Sequence, residues 1–417
     1  MTRLKPTLNI CILDPLHEGS HAHWAKGVQQ MWKQQGHKVE LRTLPGRHWK
    51  WRMHGAATTW ALEIRREASL EGDRDTPDLI ITTDMCDAAQ LRGLLPPAWS
   101  SATFIVYFHE NQLTFPWSTF DDDASNGRSH TYGYINITSA LAADAVWFNS
   151  KHHRDVFLIA AEAFVGRLPK PRPVEVAKTI LDKSSILPIG FNLPNPPSLS
   201  DSTSEVSASL ANSVLQTKAD DQAGSTLALN LPAELKPAKP PLVIWNHRWS
   251  DDKGTQAFAA FARCVVSEDI PAQFAFLGRA PERLPDEWNG LKDDLGSRCI
   301  HWGYVEDETN YHAWLERADI APIHPRQEYF GISIMEAMAS GTIPWVPEAH
   351  AYVETMPRGH RFLSSSEWVK SLAERAYDHW PLTADDYRRH AGTFTWSALT
   401  KRYDDAMLQA LERRKPI

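Results

Sequence analysis

Twice along this chain, short apolar runs alternate with stretches of helical periodicity, and that alternation constrains the fold more than any other feature. Short apolar runs bounded by turn residues read as strands covered on both faces. Helices between such strands impose parallel crossovers. The first series has strand candidates at 8–13 (LNICIL), 38–44, 78–82 (DLIIT), 102–108 (ATFIVYF), 145–148 (AVWF) and 186–189 (ILPI). Residues 20–35 read as a helix, with Trp24, Val28, Met31 and Trp32 on one face and Gly36 ending it. A second series runs through 241–246 (PLVIWN), 272–277, 298–302, 319–323 and 342–346. It includes a helix at 254–267 that puts Phe258, Phe261, Ala262 and Val265 on one face. The spacing predicts an α/β protein of two Rossmann-like, doubly wound units facing across a cleft.

The 417 residues are more than one core usually supports, which agrees with two units. Units are expected at 1–191 and 241–385, with a helix at 386–417 that can pack back on the first. Residues 192–240 between them are rich in Ser, Ala, Pro and Asp, with no aromatic residue after Phe191, and read as a linker or insertion. The net charge of -7 argues against a surface that binds nucleic acid everywhere, though not against a local basic groove. Cys11, Cys86, Cys264 and Cys299 form no CxxC pair and read as reduced thiols. No apolar run is long enough to span a membrane and the start MTRLKP lacks a signal-peptide pattern, so a cytoplasmic protein is expected. The 17 tryptophans read as a Trp-rich core with some indoles left for ligands.

Polar residues gather where strands are predicted to end. His17-Glu18-Gly19-Ser20-His21 forms a small turn opening a helix, where backbone N–H groups can approach an anion. The same turn also reads as a plain capped helix with Ser20 as N-cap. It is not GxGxxG, which disfavours a dehydrogenase. His17, His21 and His23 lack the carboxylate or cysteine spacing that would complete a metal site. After strand 102–108 stand His109, Glu110, Asn111 and Gln112, which can bond sugar hydroxyls or handle a proton, or form a solvated loop. Asn246, Arg248, Lys253 and Gly254 follow the first strand of the second series. The two cations there can neutralise a diphosphate. Glu328 precedes a helix that carries Glu336, with Gly331 permitting close backbone approach. Glu336 lies in the apolar stretch ISIMEAM, so a buried partner is required. Residues 42–66 interleave Arg42, Arg47, His48, Trp49, Lys50, Trp51, Arg52, His54, Arg65 and Arg66. That mixture suits bases and phosphates, or a solvated basic loop anchored by its indoles.

Taken together, these segments resemble retaining glycosyltransferases of family GT4, whose fold is GT-B. Glu328 and Glu336 match the family's Glu-x7-Glu motif, and Arg248, Lys253 and Gly254 its Arg…Lys-Gly diphosphate motif. DPLHEGSH at 14–21, LPGRHWKWR at 44–52, YFHENQLTFP at 107–116, WNHRW at 245–249 and HWGY at 301–304 resemble the tRNA-queuosine mannosyltransferase group more closely. The resemblance implies that Glu328 holds donor-sugar hydroxyls beside His109 and that backbone at Phe330, Gly331 and Ile332 lies near sugar and phosphate. It also implies that Glu336 binds the ribose. Gly19, Ser20, His21 and Asn246 complete the expected donor side. Arg47, Trp49, Lys50, Trp51, Arg52, Glu110, Asn111 and Gln112 make the acceptor side. The implied reaction moves mannose from GDP-mannose, as co-substrate, to queuosine in a tRNA anticodon, without a metal. No obligate protein partner or membrane contact is expected. Two other functions remain open on the sequence alone: a GT4 enzyme acting on a small molecule, lipid or polysaccharide, and a noncatalytic RNA- or nucleotide-binding protein on the same fold.

Overall fold

The computed structural model describes residues 7–71, 76–117, 121–193, 239–281 and 284–414. The expected linker lies outside these residues, apart from 192–193 and 239–240. In the first half the main elements are β1 (Asn9–His17), α1 (Gly19–Gln34), β2 (Lys38–Pro45), α2 (Trp49–Glu71), β3 (Leu79–Thr83) and β4 (Thr103–Phe108). They continue as α3 (Ser129–Ala142), β5 (Ala145–Phe148), α4 (Lys151–Val165) and β6 (Ser184–Ile186). The second half contains β7 (Leu242–Trp245), α5 (Thr255–Ser267), β8 (Gln273–Phe276), β9 (Cys299–Trp302), α6 (Glu308–Arg317) and β10 (Ile320–Pro322). It ends with α7 (Ile332–Ser340), β11 (Ile343–Trp345), α8 (Tyr352–Thr355) and α9 (Trp396–Arg414).

Both sheets are parallel. The first has order β2-β1-β3-β4-β5-β6 and the second β11-β10-β7-β8-β9. The inner strands β3, β4, β5 and β7 are short and wholly buried, as covered parallel strands must be. In each sheet the order reverses beside the first strand. Ligands in such folds bind outside the strand ends at that switch point. It falls between β1 and β3 in the first sheet, and between β7 and β10 in the second.

Three sequence expectations change here. Residues 49–71 are a 23-residue helix, not a basic loop. Its buried stripe is Met53, Ala56, Ala57, Trp60, Ala61 and Ile64, in which small alanines take the place of the large residues that usually betray a helix face. Strand β6 occupies 184–186 rather than 186–189. Pro188 has no N–H to give to a ladder, so pairing ends before it. Helix α1 begins at Gly19 with Glu18 as N-cap, and Ser20 sits inside its first turn.

Most tryptophans are core. Trp245, Trp249, Trp288 and Trp302 meet in tilted and edge-to-face contacts around Phe276 in the second half. In the first half Trp24 and Trp32 of α1 face α9. Their indole N–H groups donate to Tyr403 Oη at 3.0 Å and Asp404 Oδ1 at 3.3 Å. Tyr403 in turn donates to the Pro188 carbonyl at 3.0 Å. Helix α9 therefore closes the core of the first sheet. Cys11 and Cys86 are buried, and burial pushes the Cys86 thiol up to about 12. Among the described residues no helix is long and apolar enough to cross a membrane.

Candidate active site

The segments after β7 and β10 straddle the second switch point. Gly254 has φ +79, and a Cβ there would collide with the His324 carbonyl, so the two strand-end segments touch backbone to backbone. That contact sets Lys253 beside Glu328. The Lys253 ammonium donates to Glu328 Oε2 at 2.8 Å, and Glu328 Oε1 accepts from the backbone N–H of Tyr329 and Phe330 at 3.1 and 3.3 Å. Burial pushes the Glu328 carboxyl upward, but the Lys253 charge and bond, with the Phe330 N–H, outweigh it and hold the group below the usual range. Arg248 is about half exposed, its side chain at 53 %, and donates to Asp252 Oδ2 at 2.8 Å. Both cations are thus held by carboxylates of their own half, and Asp252 Oδ2 also lies 3.9 Å from the Lys253 ammonium.

Glu336 has the partner its apolar setting demands. It accepts from the Tyr311 hydroxyl at 2.8 Å, and burial raises its carboxyl above the ordinary value. Tyr311 also accepts from Asn246 Nδ2 at 3.1 Å, and that amide donates to the Ser333 carbonyl at 2.7 Å as well. Asn246 is therefore a bracket between β7 and α7, with its Oδ1 left without a partner among the described residues. Gly331, at φ +89, is the N-cap of α7, and Ile332 opens that helix. The first N–H groups of a helix lack intrahelical acceptors and favour an anion.

Across from these lies the first sheet's switch point. His109, buried at the end of β4, packs at a tilt against His21 of α1 with ring centroids 4.0 Å apart. Neither ring nitrogen of His109, nor Nδ1 of His21, has a partner among the described residues. Burial lowers His21 to about 4 and takes His109 well below its ordinary value, with neighbouring histidines adding to the effect. Both rings are neutral near pH 7, with nitrogens free to bond hydroxyls. Asp84, at the end of β3, fixes the loop by accepting from the His109 backbone N–H at 2.8 Å. Its carboxyl is pushed well above the ordinary range by burial and then by the charge of Glu110. The apolar-strand-then-carboxylate pattern IITTD carries a signal for Asp84, although it stands alone rather than in a cluster of polar residues. Tyr311 gives no signal, because only the folded chain brings it to Glu336.

Glu110 accepts from Gln112 Nε2 at 2.9 Å, and the charges it feels include Arg248, Asp252 and Lys253 of the other half. Asn111 requires a correction. Fully buried, its Oδ1 accepts from the N–H groups of Leu113 and Thr114 at 3.1 and 3.0 Å, so it folds the loop rather than facing an acceptor. The basic segment divides. Trp49 packs on Trp117 and Tyr132, and Lys50 is bonded to Asp121 and Asp123, both at 2.7 Å. These two are structural. Arg47 and Trp51 point to solvent, the latter 75 % exposed, and Arg52 is half-buried with Nε on the Pro45 carbonyl at 3.2 Å.

The turn at Gly19 carries an inter-half contact as well, because Glu18 pairs with Arg279. Ser20 is half-buried beside it. The triad His17, His21 and His23 does not converge. His17 Nδ1 bonds Asp14 at 2.7 Å, His23 Nε2 bonds the Gly190 carbonyl at 2.8 Å, and His21 lies on His109. Among the described residues no group of three His, Cys, Asp or Glu is placed to hold a metal ion.

Two facing switch points, one with paired cations and carboxylates and one with neutral imidazoles, are an arrangement for transferring a hydroxyl-rich group from a charged carrier. Solved structures agree on the fold. The catalytic domain of starch synthase IV from Arabidopsis thaliana, bound to ADP and acarbose, superposes with TM-score 0.64 at 15% identity, covering 98% of this chain and 100% of that one. Anabaena HepE in complex with UDP gives TM-score 0.60 at 15% identity over 96% and 100%. The chain is a glycosyltransferase of the GT-B class. Residues 240–376 match the family described as glycosyl transferases group 1, and residues 9–191 match the tRNA-queuosine alpha-mannosyltransferase N-terminal family. The first half of the chain thus resembles one of these families and the second half the other. A Drosophila melanogaster protein named tRNA-queuosine alpha-mannosyltransferase is 26% identical over 372 residues, covering 89% of this chain and 87% of the relative.

Proposed function

We propose that the protein transfers mannose from GDP-mannose, with retention, to the queuosine base of a tRNA anticodon in the cytoplasm. The observation that carries this reading is the match of the entire first half, 9–191, to the N-terminal family of tRNA-queuosine mannosyltransferases. In this reading Arg248, Lys253 and the N-terminus of α7 stabilise the departing diphosphate, where negative charge develops as the sugar–phosphate bond breaks. Glu328, ionised by Lys253, accepts hydrogen bonds from donor-sugar hydroxyls. Glu336 accepts from the ribose. His109 and His21 offer neutral nitrogens to the reacting sugar. The acceptor hydroxyl attacks from the leaving-group face, and a phosphate oxygen takes its proton. The two side-chain cations provide the counter-charge, so no metal enters the proposal. The test is mass spectrometry of nucleosides from queuosine-containing tRNA incubated with the protein and a panel of sugar nucleotides. A hexose added to queuosine only with GDP-mannose is expected. Transfer to free sugars or lipids, with queuosine untouched, overturns the reading.

The division of the basic segment sharpens a second expectation. Arg47→Ser with Arg52→Ser should weaken tRNA binding and flatten its salt dependence by up to about 0.7–0.9 for each phosphate no longer neutralised. Trp51→Ala should cost about 1–3 kcal/mol if a base stacks on the indole. Lys50→Ser should flatten the slope least, because its ammonium is already bonded to Asp121 and Asp123. Filter binding across a salt series, beside calorimetry with GDP, measures all three. A wild-type slope in the Arg47/Arg52 variant marks the segment as a solvated surface.

A further inference from the structure

Helix α4 belongs to the first half, yet its opening turn is completed by the second. A helix leaves its first N–H groups without intrahelical acceptors. The Ser150 hydroxyl accepts from the His153 N–H at 2.9 Å, an ordinary cap. The N–H groups of Lys151 and His152 instead donate to the two carboxylate oxygens of Glu354, at 3.0 and 2.6 Å. A carboxylate at a helix N-terminus also meets the favourable end of the helix dipole.

Glu354 stands on α8, and α8 grips the turn that carries Glu328. Just before that helix, Ala351 donates its N–H to the Glu328 carbonyl at 3.2 Å. The Tyr352 ring lies so close to Gly331 that a Cβ there would come within 2.9 Å of it. Helix α4 reaches the same turn directly. His152 Nε2 bonds Gln327 Oε1 at 3.3 Å, and the His153 ring lies 4.2 Å from that of Tyr329. These interactions form a closed circuit: α4 to Glu354, Glu354 through α8 to Glu328 and Gly331, and the turn back to α4.

We propose that Glu354 is a positioning residue, which ties the first half to the 328–331 turn and so sets where Glu328 stands relative to the His109 loop. The groups assigned to the nucleoside diphosphate, Arg248, Lys253, Glu336 and the N-terminus of α7, all belong to the second half, so its binding does not need the tie. Transfer needs groups from both halves in one geometry, and small misplacements there are costly. The inference rests on Glu328 acting on the donor sugar.

Glu354→Ala and Glu354→Gln in the full chain test it. Glu354→Ala should lower kcat about tenfold. The Kd values of GDP and UDP should change less than about twofold, as for an independent site. Amide exchange should quicken at 151–152 and across 327–331. Glu354→Gln keeps an acceptor oxygen but no charge, so its kcat should fall between wild type and Ala. Unchanged kcat in Glu354→Ala overturns the proposal. So does a loss of GDP and UDP affinity that matches the loss of kcat, because that is general loosening. If Glu354→Ala does not fold, Glu354→Gln is held to the same comparison. Full turnover in Glu328→Gln faults the reading of Glu328 itself. Loss in Glu328→Gln with wild-type kcat in Glu354→Ala faults the tie alone.

Discussion

Lys253→Ala is expected to lose more than the phosphate interaction it removes. The missing charge-assisted bond should weaken sugar-nucleotide binding by about 1.5–3 kcal/mol. The same ammonium is also the counter-charge of Glu328, 2.8 Å away, with side chains only 18% and 12% exposed. Without it a largely buried carboxylate stands unpaired, which should destabilise the protein by up to about 3 kcal/mol. Glu328 should then titrate higher, since the influence that held it low is gone while burial still pushes it up. A higher value means that protonation sets in sooner on acidification, so the acidic limb of the kcat profile should move to higher pH. Arg248→Ala should be milder, near the lower end of the same range, because that side chain is half exposed and shared with Asp252. Calorimetry with GDP and UDP, denaturant melts and a pH–rate profile follow these effects. Wild-type nucleotide affinity in both variants would remove the diphosphate assignment.

The two glutamates should separate turnover from binding. Glu328→Gln keeps the shape of the side chain but turns one oxygen into a donor facing Lys253, and removes the charge. Turnover should fall about 10²-fold or more, on the scale of losing one preorganised polar group at a reacting centre. Affinity for free GDP should hold near the wild-type value, since the sugar is absent from that ligand. Glu336→Gln should do the reverse, weakening GDP by about 1.5–3 kcal/mol through loss of the charged acceptor that Tyr311 orients. If Glu328→Gln weakens GDP and Glu336→Gln does not, the two roles are exchanged.

The alternation of apolar runs and helices is enough to locate the strands of both sheets apart from β6, because parallel strands buried on both faces have few other sequences open to them. The donor motifs are legible for a related reason: Arg248, Lys253 and Glu328 are polar residues at strand ends, where packing gives no cause for them. Two kinds of information stay hidden. One is helix α2, half of whose buried stripe is alanine, so the segment reads as a loop. The other is pairing at long range. Nothing local says that Lys50 meets Asp121 and Asp123, or that Asn111 spends its amide on the N–H groups of Leu113 and Thr114. Nor does spacing reveal Tyr311 behind Glu336, or Glu354 at the head of α4. Charge is legible in a sequence, whereas whether that charge is already occupied is a property of the fold.

Helix α9 gives the order of synthesis a meaning. Trp24 waits for Tyr403, 379 residues further along, and Trp32 for Asp404. As the chain leaves the ribosome, the whole first sheet can form while one side of its indole layer is still wet. The second half must be threaded past it before the plug arrives. A fragment cut at 191 would leave both indole N–H groups without their acceptors and Trp147 without its edge contact to Tyr403. The place at which the two family matches part is therefore not one where the growing polypeptide stands as a finished body.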